Sequence, residues 1–294
     1  MSAVAPWMER PSLVGHIGKA VILSALAIVM LFPFVYVIAV SFSSENDVIK
    51  GGLILLPAHP TLAAYSAVLT GNIVVHALAV SVGITLGGTL VNLVLTVAMA
   101  YGLSRPLPGG RVVLMLVLFT LLFAPGIIPS YLLVKSLGLL NSYWSLILPG
   151  AINAFNLVVI RNFFMGIPPD LIESARLDGA NDLQVLRHIT LPLSKAVLAV
   201  IGLFYGVVHW NDWFSATLYL NDSSKWPIPV VLRQYVLQGS QLAGAVNIDP
   251  NQPPPPPQTL EMAIVVLATV PILLVYPFLQ KYFVQGVLTG AIKG

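Results

Sequence analysis

The chain contains no cysteine, and charged side chains make up only 9% of its 294 residues. The first absence rules out disulfides, thiolate metal sites and a cysteine nucleophile, while leaving the redox compartment undetermined. The second says more, because ordinary globular chains carry about 25% charged residues. Hydrophobic residues reach 57% and mean hydropathy is +0.89, so the chain reads as a membrane protein. A phosphate loop is also missing. Nothing matches G-x-x-x-x-G-K-S/T, since Gly18 and Lys19 are followed by Ala20 and lack the upstream glycine. The histidines at 16, 59, 76, 188 and 209 are scattered without metal-ligand spacing, and each reads as a solvated or packed side chain. No metal site and no catalytic cluster are expected.

What is present is a series of long apolar runs. A helical span needs about 20 mostly apolar residues to cross about 30 Å of hydrocarbon. Six runs qualify, roughly Ala20 to Phe42, Ile73 to Leu103, Val112 to Val134, Tyr143 to Phe164, Leu193 to Leu218 and Thr259 to Tyr282. Their continuity favours helices, which satisfy every backbone polar group within the segment. The first run follows Arg10 and Lys19 as a signal peptide would. Its apolar core is longer than the about 7 to 15 residues of a signal peptide, and no small-x-small cleavage site follows cleanly, so it reads as a retained span. The expected fold is all-α, an integral membrane protein of six transmembrane helices. Arg10, Lys19, Arg105, Arg111, Arg161, Arg176, Arg187, Lys195, Lys281 and Lys293 then share one side of the membrane, and Lys50, Lys135, Lys225 and Arg233 the other. By the positive-inside rule both termini are cytoplasmic. The net charge of +3 reflects this bias and gives no reason to invoke nucleic acid. Three regions are expected: 1–71 with the first helix and outer loop, a membrane core over 72–285, and a cytoplasmic tail over 286–294.

The longest outer segment, Tyr219 to Gln258, holds Trp226, a short amphipathic stretch VVLRQYVLQ from Val230 to Gln238, and five consecutive prolines from Pro253 to Pro257. The proline run reads as a semi-rigid polyproline spacer or as a low-complexity insertion. Thr259 is placed to cap the last span. Inside the membrane, FAPGIIPSY puts Pro125, Gly126 and Pro129 in the third span, where lost backbone hydrogen bonds need other partners. Asn153 and Asn156, three apart, share a helix face in the fourth span, for packing or for a polar path. The glycines of SVGITLGGTL permit close helix contact. In HWNDWF, Trp210 and Trp213 suit membrane-interface anchors, while Asn211 and Asp212 suit a helix end. The same indoles beside an amide and a carboxylate would also suit a sugar.

One interval breaks the apolar pattern. Asp170 to Lys195 carries seven of the chain's 25 charges, Asp170, Glu173, Arg176, Asp178, Asp182, Arg187 and Lys195, on the cytoplasmic side. Pro168 and Pro169 can open a helix, along which Leu171, Ile172, Ala175 and Leu177 form an apolar face. Gly179 can take the positive φ of a sharp turn. Asn181 can cap a second short helix running to His188, and Pro192 stops it. Chain reversals usually take a few residues; nearly thirty make a knob suited to docking a partner.

Here the residues carry a resemblance. Glu173, Ser174 and Ala175, three residues, Gly179, nine residues, then Ile189, Thr190, Leu191 and Pro192 resemble the EAA signature of ABC importer permeases, with Ser174 as a small-for-small departure. The run PPDLIESARLDGA to ITLP, the WNDWF segment and the terminus VYPFLQKYFVQGVLTGAIKG resemble the carbohydrate-uptake, maltose-type subfamily, closest to its branch for larger or acidic oligosaccharides. The similarity covers most of the chain from about Leu56. It implies the type I ABC importer permease fold, with residues 168–192 as a coupling segment seated in a groove of a separate ATPase. Glu173 would pair with a basic residue of that ATPase, Leu171 and Ala175 would pack in its groove, and Ser174, Asp178, Gly179, Ile189, Leu191 and Pro192 complete the segment. Asn153, Asn156, Trp210, Asn211 and Asp212 are candidates for the substrate pathway, and Trp226, Arg233 and Tyr235 for contact with an extracytoplasmic binding protein. The implied partners are a second homologous permease, two ATPase subunits that bind ATP and Mg, the binding protein and membrane lipid. The chain itself would be non-catalytic, lie in a prokaryotic inner membrane and import sugars or oligosaccharides. The competing readings are a permease for non-carbohydrate cargo and an ion-coupled secondary transporter, which would need ionisable residues deep in the spans.

Overall fold

Helix is the only regular structure among the described residues, 13–123, 125–238 and 255–291 of a computed structural model. In chain order the α-helices are α1 (Leu13–Ser41), α2 (Glu45–Ile49), α3 (Ala63–Thr70), α4 (Asn72–Leu103), α5 (Gly110–Leu122), α6 (Ile127–Ser136), α7 (Trp144–Ile147), α8 (Ala154–Met165), α9 (Pro169–Leu177), α10 (Asp182–Val185), α11 (Leu191–Leu193), α12 (Lys195–Asn211), α13 (Trp213–Tyr219), α14 (Ile228–Gln238) and α15 (Pro257–Ala291). Arg10, Pro253, Pro254 and residues 292–294 lie outside the described residues.

The chain divides into two compact units, 1–68 with 248–266, and 69–247 with 267–294. In the first, the Thr61 amide donates to the Phe42 carbonyl and Tyr65 hydrogen-bonds Ser41 at 2.7 Å. Asp47, in the segment between α1 and α3, accepts from the His59 amide at 3.0 Å, which holds its carboxyl below the usual range. The second unit is organised around α4, a helix of 32 residues and therefore about 48 Å long. One core joins Val97, Ala100 and Leu103 of α4 to Leu157, Ile160 and Phe164 of α8 and Ile201 and Tyr205 of α12. A second joins Ile84 of α4 to Val134, Leu146, Ala216, Tyr219, Leu220 and Val230.

Among the described residues, three helices are long and apolar enough to cross a membrane unaided: Gly15–Ser41, Asn72–Leu103 and Pro257–Val275. Asp182–Leu193 meets Lys195–Asn211 at 83°, and the pair makes a fourth if counted as one span. The other apolar runs are interrupted. The third stops at Leu122 and restarts at Ile127, with Gly126 at φ 81° in the break that Pro125 and Gly126 foreshadow. The fourth is not one helix from Tyr143 to Phe164: α7 ends at Ile147, and α8 begins only at Ala154, because Pro149 and Gly150 fall between them. Asp212 divides the fifth into α12 and α13. Thr259 does not cap the last helix. That helix starts at Pro257, whose missing N–H costs nothing in a first turn, and Thr259 is buried inside it.

Candidate functional site

The polar interval folds as two short helices across a sharp turn. Pro169 opens α9 with Asp170 in its first turn, and Arg176 in its last turn suits the carbonyl end of the dipole. Gly179 reverses the chain at φ 88°, a conformation an L side chain reaches only with strain. Asn181 then caps α10 with a complete capping box, its side chain accepting from the Gln184 amide while Gln184 accepts from the Asn181 amide. The second helix runs further than the sequence suggests. It continues through a π-helical stretch, Leu186–Thr190, into α11, and Pro192 lies within that last turn rather than ending the segment. The end of α9, the turn, α10 and the π-helical stretch border an open cleft of about 330 Å³ lined by Ala175, Asp178, Gly179, Gln184, Val185 and His188, among others.

The segment has an inner and an outer side. Val185 is fully buried, worth about 2 kcal/mol of apolar burial, and Ile172, Leu186 and Leu191 pack against the core of α4, α8 and α12. Leu171, Glu173, Ser174, Asp178, Gly179 and Pro192 are exposed, with Ala175 and Ile189 half-buried. Leu177 does not join Ile172 on an inward face: it is 90% exposed. Leu183 on α10 is exposed as well, at 70%.

What sequence reasoning missed is how this segment is fixed to the bundle. Asp182 forms ion pairs with Arg176 of α9 at 2.9 Å and with Arg105, just past α4, at 3.1 Å. Both guanidiniums hold its carboxyl below the usual carboxylate range, the Arg176 hydrogen bond most strongly. The Arg105 guanidinium also lies 4.3 Å from the Tyr101 ring centroid and donates to the Tyr101 hydroxyl. Tyr101 in turn donates to the Asp182 carbonyl at 2.8 Å. No local signal links residues 81 positions apart.

The proposed pathway residues separate. Asn153 is the N-cap of α8, accepting from the Asn156 amide at 3.1 Å, so the two do not line one helical face; Asn153 is exposed and Asn156 buried. Trp210 is buried, its indole N–H donating to the Ala268 carbonyl at 3.2 Å. Asn211 is exposed and donates back to the Val207 carbonyl, while Asp212 caps α13 by accepting from the Ser215 amide. Trp213, 37% exposed, carries the Arg233 guanidinium 3.8 Å above its ring, which brings the WNDWF segment and α14 together. Trp226 is half-buried and donates to the Leu220 carbonyl at 3.1 Å. Tyr235 is fully buried, so it supports α14 from beneath instead of offering a surface contact. Deeper, Asn92 donates to His209 at 2.9 Å, and Thr96 hydrogen-bonds Tyr205 at 2.7 Å. These form a buried polar seam between α4 and α12 that composition alone did not single out.

Residues 92–289 match the family described as binding-protein-dependent transport system inner membrane component. The chain is 50% identical to the polygalacturonan/rhamnogalacturonan transport system permease protein YtcP of Bacillus subtilis (strain 168), over 91% of this chain and 94% of that one. It is 46% identical to the protein LplC of the same organism, over 92% of each. Among solved structures, a chain of a bacterial ABC transporter involved in the import of the acidic polysaccharide alginate superposes with a TM-score of 0.86 at 34% identity, covering 95% of this chain and all of that one.

Proposed function

The chain belongs to the family of binding-protein-dependent transport system inner membrane components, and from that membership we propose that it is one of two related permease subunits of an ATP-driven carbohydrate importer. It forms half of the translocation path in a bacterial inner membrane and crosses that membrane six times, with both termini in the cytoplasm. The observation that carries this reading is the α9–α10 knob: charged, turned sharply at Gly179, and exposed along Leu171, Glu173 and Leu177 on an otherwise apolar chain. With no phosphate loop of its own, the chain takes its energy from separate ATPase subunits that bind ATP and Mg. Their closure moves the knob, and the knob biases the bundle between inward-open and outward-open states.

The cargo is an acidic oligosaccharide delivered by an extracytoplasmic binding protein. The named cargoes of two relatives, polygalacturonan/rhamnogalacturonan and alginate, support this. So does the exposed Arg233 guanidinium stacked on Trp213, a planar fork of the kind that pairs a carboxylate. The test is Glu173→Lys in the complex reconstituted with its second permease, ATPases and binding protein. Binding-protein-stimulated ATP hydrolysis and uptake should both fall at least tenfold. Normal uptake with normal stimulation would refute the coupling assignment.

A further inference from the structure

Reading α9–α10 as the coupling knob leaves open how its movement reaches the membrane helices. The apolar contacts of Ile172, Leu186 and Leu191 with the core hold the knob against the bundle, but apolar surfaces are non-directional and let one element slide over another. The polar contacts are directional. They form a continuous path: Arg176 on α9, the Asp182 carboxylate at the start of α10, then Arg105 and Tyr101 at the end of α4. Asp182 is the only residue in that path that touches both sides. Its carboxylate takes one guanidinium from each, and its backbone carbonyl takes the Tyr101 hydroxyl.

The Asp182 carboxylate is itself exposed, at 66%, and what separates the pair from an ordinary surface ion pair is its Arg105 partner. Such pairs contribute little because two long side chains must be ordered in water. Arg105 is already ordered: its side chain is 18% exposed, with its guanidinium over the Tyr101 ring. Its end of the path is therefore also held to α4 by a contact independent of Asp182. α4 packs along both α8 and α12 and contributes to both cores of its unit, so a displacement delivered to its last turn is delivered to the bundle.

We infer that Asp182 and Arg105 form a strut that transmits movement of the coupling knob to α4, making both of them positioning residues for transport without contact to cargo or nucleotide. The inference rests on the coupling reading above. It requires the strut to stay engaged as the knob moves, because a pair that opened would release the force instead of passing it on.

The experiment measures substrate imported per ATP hydrolysed in proteoliposomes carrying the whole complex. Asp182→Asn keeps the size of the side chain and removes its charge. Co-purification of the ATPases and basal hydrolysis should be retained, while the transport ratio falls about threefold or more. An unchanged ratio overturns the strut. The natural lack of cysteine permits a second arm. Arg105→Cys with Asp182→Cys should be uncoupled in the same way and regain its ratio when a short bismaleimide bridges the two thiols. Failure to recover after verified bridging also overturns it, since a merely structural pair, or one that must open, gains nothing from being fixed. Glu173→Lys keeps the two readings apart. If it uncouples while Asp182→Asn does not, only the strut is lost; if Glu173→Lys leaves uptake and stimulation normal, the coupling reading itself fails.

Discussion

Gly88 shows how tightly the seam between α4 and α12 is closed. A Cβ added there would meet the His209 Nε2 at 2.7 Å and two ring carbons at 2.9 Å. The ring cannot simply retreat, because Asn92 one turn along α4 holds the same nitrogen at 2.9 Å. Gly88→Ala should therefore cost about 1–3 kcal/mol by overpacking, read as a lower thermal midpoint of the purified complex. His209→Ala makes room for the methyl, so the double variant should lose less than the two single losses combined. Additive losses would mean that the ring swings aside and the glycine serves something else. The sequence marks Gly88 as one of several small residues, but what faces it is 121 positions away and no periodicity reports it.

At the scale of elements, the loops before α7 and after α13 are pinned by a small polar lock. Asn141, at φ 58°, donates its amide to the Tyr219 carbonyl at 2.8 Å, accepts Lys225 Nζ on its own carbonyl at 2.7 Å and accepts the Asp222 amide on its side chain at 3.1 Å. Asp222 accepts from the Ser224 hydroxyl and amide, and these bonds, the hydroxyl first, hold its carboxyl below the ordinary value of 3.8. A carboxyl depressed in the folded state adds stability above the unfolded carboxylate range and loses it as pH falls through the depressed value. The thermal midpoint of the complex should thus decline below about pH 4, with part of the decline due to Asp222. Asp222→Asn should lower the midpoint at neutral pH and flatten the acid-side slope. It will not abolish that slope, because Asp47 and Asp182 are depressed in the same direction. An unaltered slope in the variant would remove Asp222 from the account.

For the whole molecule, the readable features were those written in neighbouring residues. The turn at Gly179, the cap at Asn181, the amphipathic helix at Val230 to Gln238 and the break at Pro125 and Gly126 all rest on short-range chemistry. The Arg105–Asp182 pair and the Trp213–Arg233 stack depend on how distant helices meet, and the interruption between α7 and α8 was hidden because hydropathy averages over Pro149 and Gly150. That interruption bears directly on the proposed six crossings. α5 and α6 supply 13 and 10 residues, about 35 Å of rise if placed end to end, enough for one crossing between them. α7 and α8 together supply only 4 and 12 helical residues, about 24 Å, so the non-helical Leu148–Asn153 stretch must lie at membrane depth, where its backbone needs protein or a watered cavity around it. Single cysteines in this cysteine-free chain test the count. Pro108→Cys sits in the exposed loop between α4 and α5, beside Arg105 and Arg111, and Ser223→Cys in the exposed segment between α13 and α14. The loops are separated by three crossings if α5–α6, α7–α8 and α12–α13 each span once. An impermeant maleimide added to intact cells should then label Ser223→Cys alone, and Pro108→Cys only after the membrane is opened. Labelling of both from outside would mean an even number of crossings between them, most simply α7–α8 entering and leaving by the same face, and the six-span topology would fail.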